Sequence, residues 1–219
     1  MDKLRLLFSK TGRAVYISHL DLMRTLTRAF KRADCNLKYS EGFNPHPNIS
    51  IAMPLSVGAE SVCEILDFKL LDDMEPEEIL KRLKTQLPEG ISALEVYQSD
   101  RKVRELKWLK IEGVFEYDER SSEEMLPKLC EFFAKDSIVI QKKTKRGIGE
   151  SDIKPAIKDI AFSACDNIVC MNATISAQEP TLNPELLADA LRQLMPEIAP
   201  DFAKFKRLEI FDENMSVFR

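Results

Sequence analysis

The chain has 219 residues, of which 44% are hydrophobic and 31% charged, with 7 Gly and 11 Pro. That composition excludes collagenous, low-complexity and largely disordered classes, and the length permits one large domain or two small ones at roughly 100–200 residues each. The net charge of −4 hides an asymmetry: residues 1–50 carry nine Lys or Arg against four Asp or Glu, a local +5 that leaves −9 for the other 169 residues. A local anionic partner at the N-terminal end is the expectation.

No apolar run approaches the ~18–20 residues of a membrane span, and Met1-Asp2-Lys3-Leu4-Arg5 has no apolar signal core. The expected location is therefore the cytoplasm, with no membrane partner. Five cysteines, Cys35, Cys63, Cys130, Cys165 and Cys170, lack the close pairs of a disulfide framework or a zinc or iron–sulfur set. They are expected as buried reduced thiols, with neither metal nor cofactor.

In chain order, Leu4, Leu6 and Phe8 alternate as a strand that Thr11-Gly12 breaks, and the short apolar stretch 14–17 runs into Ser18. Ser18 and Asp21 resemble a capping box, and Leu22, Met23, Leu26, Ala29, Phe30 and Ala33 fall on one face of a helix to Asp34. Leu37 and Tyr39 open a strand, a loop spans residues 40–47, and Ile49, Ile51 and Met53 resume the alternation. A strand from Cys63 to Leu70, a helix from Pro76 to Leu87 and a strand from Ile91 to Tyr97 complete a β-α-β-β-α-β order.

The same order recurs after a charged junction at residues 100–105. A strand runs from Leu106 to Tyr117, a helix starts at Ser121/Ser122, and Ile138 to Ile140 is a short strand. A polar basic loop is expected from Lys142 to Pro155, then a hairpin about Asp166-Asn167, a helix from Asn183-Pro184 to Leu194, and a strand from Phe205 to Phe211. The expected fold is α+β, with two tandem ferredoxin-like units on antiparallel sheets, residues 1–100 and 101–219.

Chemistry-bearing residues concentrate in residues 16–54. Arg24, Arg28, Lys31 and Arg32 lie at spacings that form one stripe opposite the apolar face, with few compensating acids. Such a stripe is either a solvated helix face or a row of phosphate contacts. Both histidines sit here: His19 at the start of the helix, and His46 between Pro45 and Pro47. As a pair at one cleft they would be candidates for acid–base work on a phosphodiester; singly they are a helix-start residue and a loop-fixing residue. Tyr39, Phe43, Asn44 and His46 are candidates to stack on or bond an unpaired base. A second cationic run, Lys142, Lys143, Lys145 and Arg146 before Gly147, suits phosphates or solvent equally. Nucleotide-loop, nucleophile-elbow and kinase signatures are absent.

The segments Tyr16-Ile17-Ser18-His19-Leu20-Asp21-Leu22-Met23-Arg24, Arg28-Ala29-Phe30-Lys31-Arg32-Ala33, Tyr39-Ser40-Glu41-Gly42-Phe43-Asn44-Pro45-His46-Pro47 and Met53-Pro54-Leu55-Ser56-Val57-Gly58 resemble the radical-SAM-linked protein family of bacteria. Lys145, Gly147, Asp152, Ile153 and Pro155 look like its later basic motif. The resemblance implies a role beside a radical S-adenosylmethionine enzyme and in RNA metabolism. The expectation is a non-catalytic RNA-binding accessory protein acting in tRNA or rRNA modification. The alternatives are a metal-independent endoribonuclease using His19 and His46, or a docking module that does not bind RNA.

Overall fold

A computed structural model describes residues 4–144 and 147–219. The fold is mixed α+β, with mostly antiparallel sheet and, among the described residues, four α-helices. The chain divides into two compact units between Val103 and Arg104, Arg219 grouping with the first.

In the first unit the elements are β1 (Leu4–Lys10), α1 (His19–Arg32), β2 (Ile49–Ile51), β3 (Glu60–Phe68), α2 (Pro76–Lys84) and β4 (Ile91–Gln98). Their order in the sheet is β4-β1-β3-β2, every neighbour antiparallel. Leu4, Leu6 and Phe8 of β1 point into a core with Leu22, Leu26 and Phe30 of α1 and Ile79 and Leu83 of α2. The rings of Phe30 and Phe68 lie 4.8 Å apart in a tilted contact. Two helices thus bury the apolar stripes that periodicity assigns to them, each stripe matching one face of the pleat.

Local chemistry sets the ends of these elements. Ser18 caps α1 by accepting from Asp21 N at 3.2 Å while its hydroxyl donates to Asp21 Oδ2 at 2.8 Å, so the N-cap half of a capping box forms and the Asp21 carboxylate holds the capping hydroxyl itself. Pro76 opens α2, with Glu77 and Glu78 in its first turn and Lys81, Arg82 and Lys84 in its last, in the sense that complements the helix dipole. The apolar stretch before α1 is a 3-10 helix, Gly12–Tyr16. Leu37 and Tyr39, expected to open a strand, make only single bridges to Leu70 and Pro47. The prolines at 45 and 47 cannot donate to a ladder, so regular pairing waits until Ile49.

The second unit holds β5 (Trp108–Glu116), α3 (Ser122–Ala134), β6 (Val139–Thr144), β7 (Gly147–Asp152), β8 (Ile157–Cys165), β9 (Ile168–Ser176), α4 (Glu185–Leu194) and β10 (Phe202–Phe211). Its sheet runs β10-β5-β9-β8. The core centres on Phe115, whose ring lies 6.1 Å from Phe205 and 6.2 Å from Phe162, the latter 5.4 Å from Phe133 of α3.

Two expectations change here. The polar loop from Lys142 to Pro155 is instead mostly the β6–β7 ribbon, a two-stranded sheet of its own. Its polar sequence hides the strands because only its root is buried: Ile138, Ile140 and Ile153 are packed, while Val139 and Ile148 are exposed. The cysteines also divide: Cys35 and Cys63 are buried, but Cys130 and Cys165 are exposed and Cys170 is half-buried. Alternating strands and amphipathic helices give half their positions to solvent, and cysteines at those positions follow.

Candidate nucleic-acid interface

The register of the first sheet gives the candidate residues their places. Leu4, Phe68, Ile49 and Gln98 lie at one end of the sheet, and Lys10, Ser61 and Ile91 at the other. Helix α1 starts at the Lys10 end and returns to the Leu4 end, where Leu37 bridges Leu70. His19 is the first residue of α1 and is exposed, while His46 lies in the loop that follows the helix, also exposed. The 14 residues of α1 rise about 20 Å, so the two histidines root at opposite ends of the helix. The register offers no common cleft for acid–base work by the pair.

Below the start of α1, Lys10 is buried, and its ammonium donates to the carbonyls of Val15 at 3.1 Å and Ile17 at 3.5 Å. Burial lowers its pKa, and the charge of Glu64 acts in the opposite direction. This lysine fastens the chain entering α1 and is closed to solvent.

The four cations of the stripe are all exposed, and they are not equivalent. Arg24 pairs with Asp21 at 3.0 Å, and Arg32 Nη2 donates to the carbonyl of Gln86 at 2.6 Å. The hydroxyl of Ser18 and then Arg24 hold the Asp21 carboxyl below its ordinary range. Arg28 and Lys31 alone in the stripe keep their charges free of any partner among the described residues. An acid thus partners the first residue of the stripe, and a backbone carbonyl its last.

At the Leu4 end the chain from Tyr39 to Pro47 forms a fastened loop. Ser40 N donates to the His46 carbonyl at 2.8 Å, and His46 N donates to Ser40 Oγ at 3.0 Å. Tyr39 bridges Pro47, and Gly42 takes a φ of +121° that an L side chain rarely adopts. At the tip Phe43 is 111% exposed, and Tyr39 is 47% exposed. Asn44 and His46 are exposed beside them. Lys38 N donates to the Lys69 carbonyl at 2.8 Å, which roots two exposed lysines together at the base of the loop.

Neither Lys38 nor Lys69 is visible as a site residue in the sequence. They lie 31 positions apart, and the pairing of the loop root to the end of β3 unites them. Free Arg28 and Lys31 belong to the second half of α1, the half that returns to this end.

In the second unit, Lys142 and Lys143 face Gly149 and Ile148 across the ribbon, so no acid stands directly opposite either. Lys145 and Arg146 lie outside the described residues. The ribbon is fixed at its root: Asp152 accepts from Ile138 N at 2.9 Å, Lys154 N at 3.0 Å and Ser137 Oγ at 2.9 Å. Gln193 of α4 holds the backbone of Gln141 by two bonds, at 2.8 and 3.1 Å. Among the described residues no cluster of three or more His, Cys, Asp or Glu is placed to hold a metal ion.

Residues 3–184 match the model of DUF2344, described as an uncharacterized protein conserved in bacteria. The chain belongs to this family. The match contains α1, the Tyr39–Pro47 loop and the β6–β7 ribbon, and it ends before α4. No curated protein matches this DUF2344 chain.

Among solved structures it is similar to one in a crystal structure of a Cbf5-Nop10-Gar1 complex, with a TM-score of 0.52 at 9% identity over 96% of this chain. The chain spans about half, 50%, of the length of that structure, and the likeness is one of fold. A crystal structure of an unknown protein from Galdieria sulphuraria matches over 94% of the DUF2344 chain and 98% of its own length, at 9% identity and a TM-score of 0.28. Among the described residues no helix is long and apolar enough to cross a membrane.

Proposed function

We propose that this DUF2344 chain is a non-catalytic RNA-binding accessory protein, cytoplasmic, that works beside a radical SAM enzyme in tRNA or rRNA modification. Each unit is read as a ferredoxin-like fold, the order β4-β1-β3-β2 being repeated as β10-β5-β9-β8 with the ribbon inserted. The radical SAM partner rests on the motif resemblance of residues 16–58.

The observation that carries the RNA reading is Phe43. A phenylalanine held wholly in solvent forgoes roughly 1.5–3 kcal/mol of burial, yet its loop is fastened at the root by two hydrogen bonds and two prolines. A fixed loop presents the ring at little ordering cost on binding, and an aromatic face accepts any unpaired base. Lys38, Lys69, Arg28 and Lys31 supply cations for the backbone at the same end of the unit.

Fluorescence anisotropy of the full chain with single-stranded and stem-loop RNAs tests this. Phe43→Ala is expected to weaken single-stranded binding by about tenfold, within the 1–3 kcal/mol of a base–aromatic stack, and to leave the circular dichroism spectrum unchanged. Absence of binding by the wild-type chain at low salt overturns the reading.

The endoribonuclease alternative needs two imidazoles together, and the sheet register supplies no such pair. The docking-module alternative has one observation in its favour. Tyr16, Leu20 and Val57 are 75%, 66% and 58% exposed, and Gly58 N donates to the Val15 carbonyl at 2.9 Å, which draws the two motif segments into one apolar patch. Loss of the radical enzyme from the Leu20→Ser variant in co-purification, with RNA affinity retained, identifies that patch as the partner's seat.

A further inference from the structure

A groove of about 350 Å3 opens beside the root of the aromatic loop, lined by residues 48–52, residues 67–69 and Val103. Its volume lies at the lower edge of the range of small-molecule sites, about 300–1,000 Å3. One wall is β2, which among the described strands pairs with β3 alone. Lys69 N donates to the Asn48 carbonyl and Ala52 N to the Ile65 carbonyl. By antiparallel alternation, Ile49 and Ile51 then turn their backbone groups away from β3; Ile49 N donates to the Pro47 carbonyl at 2.8 Å, which leaves the Ile49 carbonyl and both groups of Ile51 along the edge.

Ile49 and Val103, both half-buried, give apolar surface, while Ile51 and Phe68 are buried in the core and the Asp67 carboxylate is held by Arg5. The exposed Asn48 and Ser50 give an amide and a hydroxyl that bond to no other group among the described residues. Lys69 stands at the rim, and its backbone ties it to Lys38.

We propose that this groove holds one unpaired nucleotide of a bound RNA, the nucleotide next to the one that stacks on Phe43. The inference deepens the RNA-binding reading and rests on it. Ile49 and Val103 take a face of a base, while donors and acceptors of both kinds on Asn48, Ser50 and the edge backbone take its Watson–Crick edge. A rim lysine takes the phosphate. The placement supplies continuity, because Asn48 and Lys69 belong both to the groove and to the root of the loop. An RNA strand passing over Phe43 runs along the loop whose root borders the groove. A peptide adding to the β2 edge would use the same backbone groups, but three residues of strand offer it a short ladder.

The test uses the full chain and single-stranded RNA carrying 4-thiouridine at successive positions, irradiated and mapped by peptide mass spectrometry. Adducts within residues 47–53 or at Lys69 are expected, and adducts confined to α1 or to the β6–β7 ribbon overturn the groove. Ser50→Trp fills the groove from an exposed strand position that tolerates an aromatic, and it is expected to weaken RNA binding at least about tenfold with the spectrum of the fold unchanged. If RNA binds and Ser50→Trp leaves affinity as it was, the groove falls and the RNA-binding reading stands. If the wild-type chain binds no RNA, that reading falls. The groove is then decided by adenosine and uridine 5′-monophosphates: amide shifts at Ser50 and Lys69 support it, and their absence removes it.

Discussion

Arg5 sits within β1 with no exposed surface, and its guanidinium is engaged on three sides. Nε donates to Asp67 Oδ1 at 2.8 Å, Nη1 to Ser99 Oγ at 2.8 Å, and Nη2 to the Arg101 carbonyl at 2.5 Å. The ladder puts Arg5 directly opposite Asp67, so the pair is built into the register of β1 and β3. Removing one member leaves a charge in a dry place, which costs far more than the pair gains over a hydrophobic substitute. Asp67→Ala is expected to lower stability by about 3–5 kcal/mol in chemical denaturation. The double variant Arg5→Met with Asp67→Leu is expected to recover much of that loss, because neither charge of the pair is left without the other.

Among the elements, the turn from α2 into β4 depends on Gly90. Its φ is +84°, and a Cβ there would stand 2.5 Å from the Thr11 carbonyl oxygen and 2.8 Å from Ala14 Cβ. The approach is needed because Thr11 N donates to the Gly90 carbonyl at 2.8 Å, joining the end of β1 to the start of β4. Gly90→Ala combines left-handed strain with a backbone clash and is expected to cost at least about 1–3 kcal/mol, read as a lower melting temperature.

The β6–β7 ribbon depends on Asp152, whose carboxylate is held below its ordinary pKa by the backbone N–H of Ile138, then that of Lys154, then the Ser137 hydroxyl. The folded chain therefore prefers the ionised form. That contribution is present above the ordinary carboxylate pKa of about 4 and is lost as the pH falls through the lower folded value. A carboxyl titration by NMR is expected to show the lowered midpoint, and Asp152→Asn is expected to make stability less steep in pH below about 4.

Over the whole molecule the charges are sorted, with residues 1–50 at +5 inside a chain of net −4. Within that region the structure separates spent cations from free ones, since Arg24 and Arg32 have partners and Arg28 and Lys31 do not. The pair Arg28→Ala with Lys31→Ala is expected to lower the salt slope of single-stranded RNA binding by roughly 0.7 for each phosphate no longer neutralised, alike for all sequences. Arg24→Ala is expected to change it less. A salt titration by anisotropy compares the two, and equal slopes would return the stripe to a solvated helix face.

Elements whose periodicity is local are legible before folding is considered. The apolar stripe of α1, the Ser18 cap and the inward set Leu4, Leu6 and Phe8 are legible because neighbours three, four or two positions apart must share a face. Asp21 was legible as the cap partner of Ser18, whereas its pairing with Arg24 came from the structure.

Features that join residues distant in sequence became visible with the fold. All seven residues of β1 are buried, although alternation expects one solvated face. The β6–β7 ribbon carries few apolar residues because its root alone is packed, so its strands have no pattern to read. The union of Lys38 with Lys69 and the separation of His19 from His46 follow from the sheet register and the length of α1. Register is a choice among long-range pairings, settled by the total burial of the sheet, and no short window of sequence contains that sum.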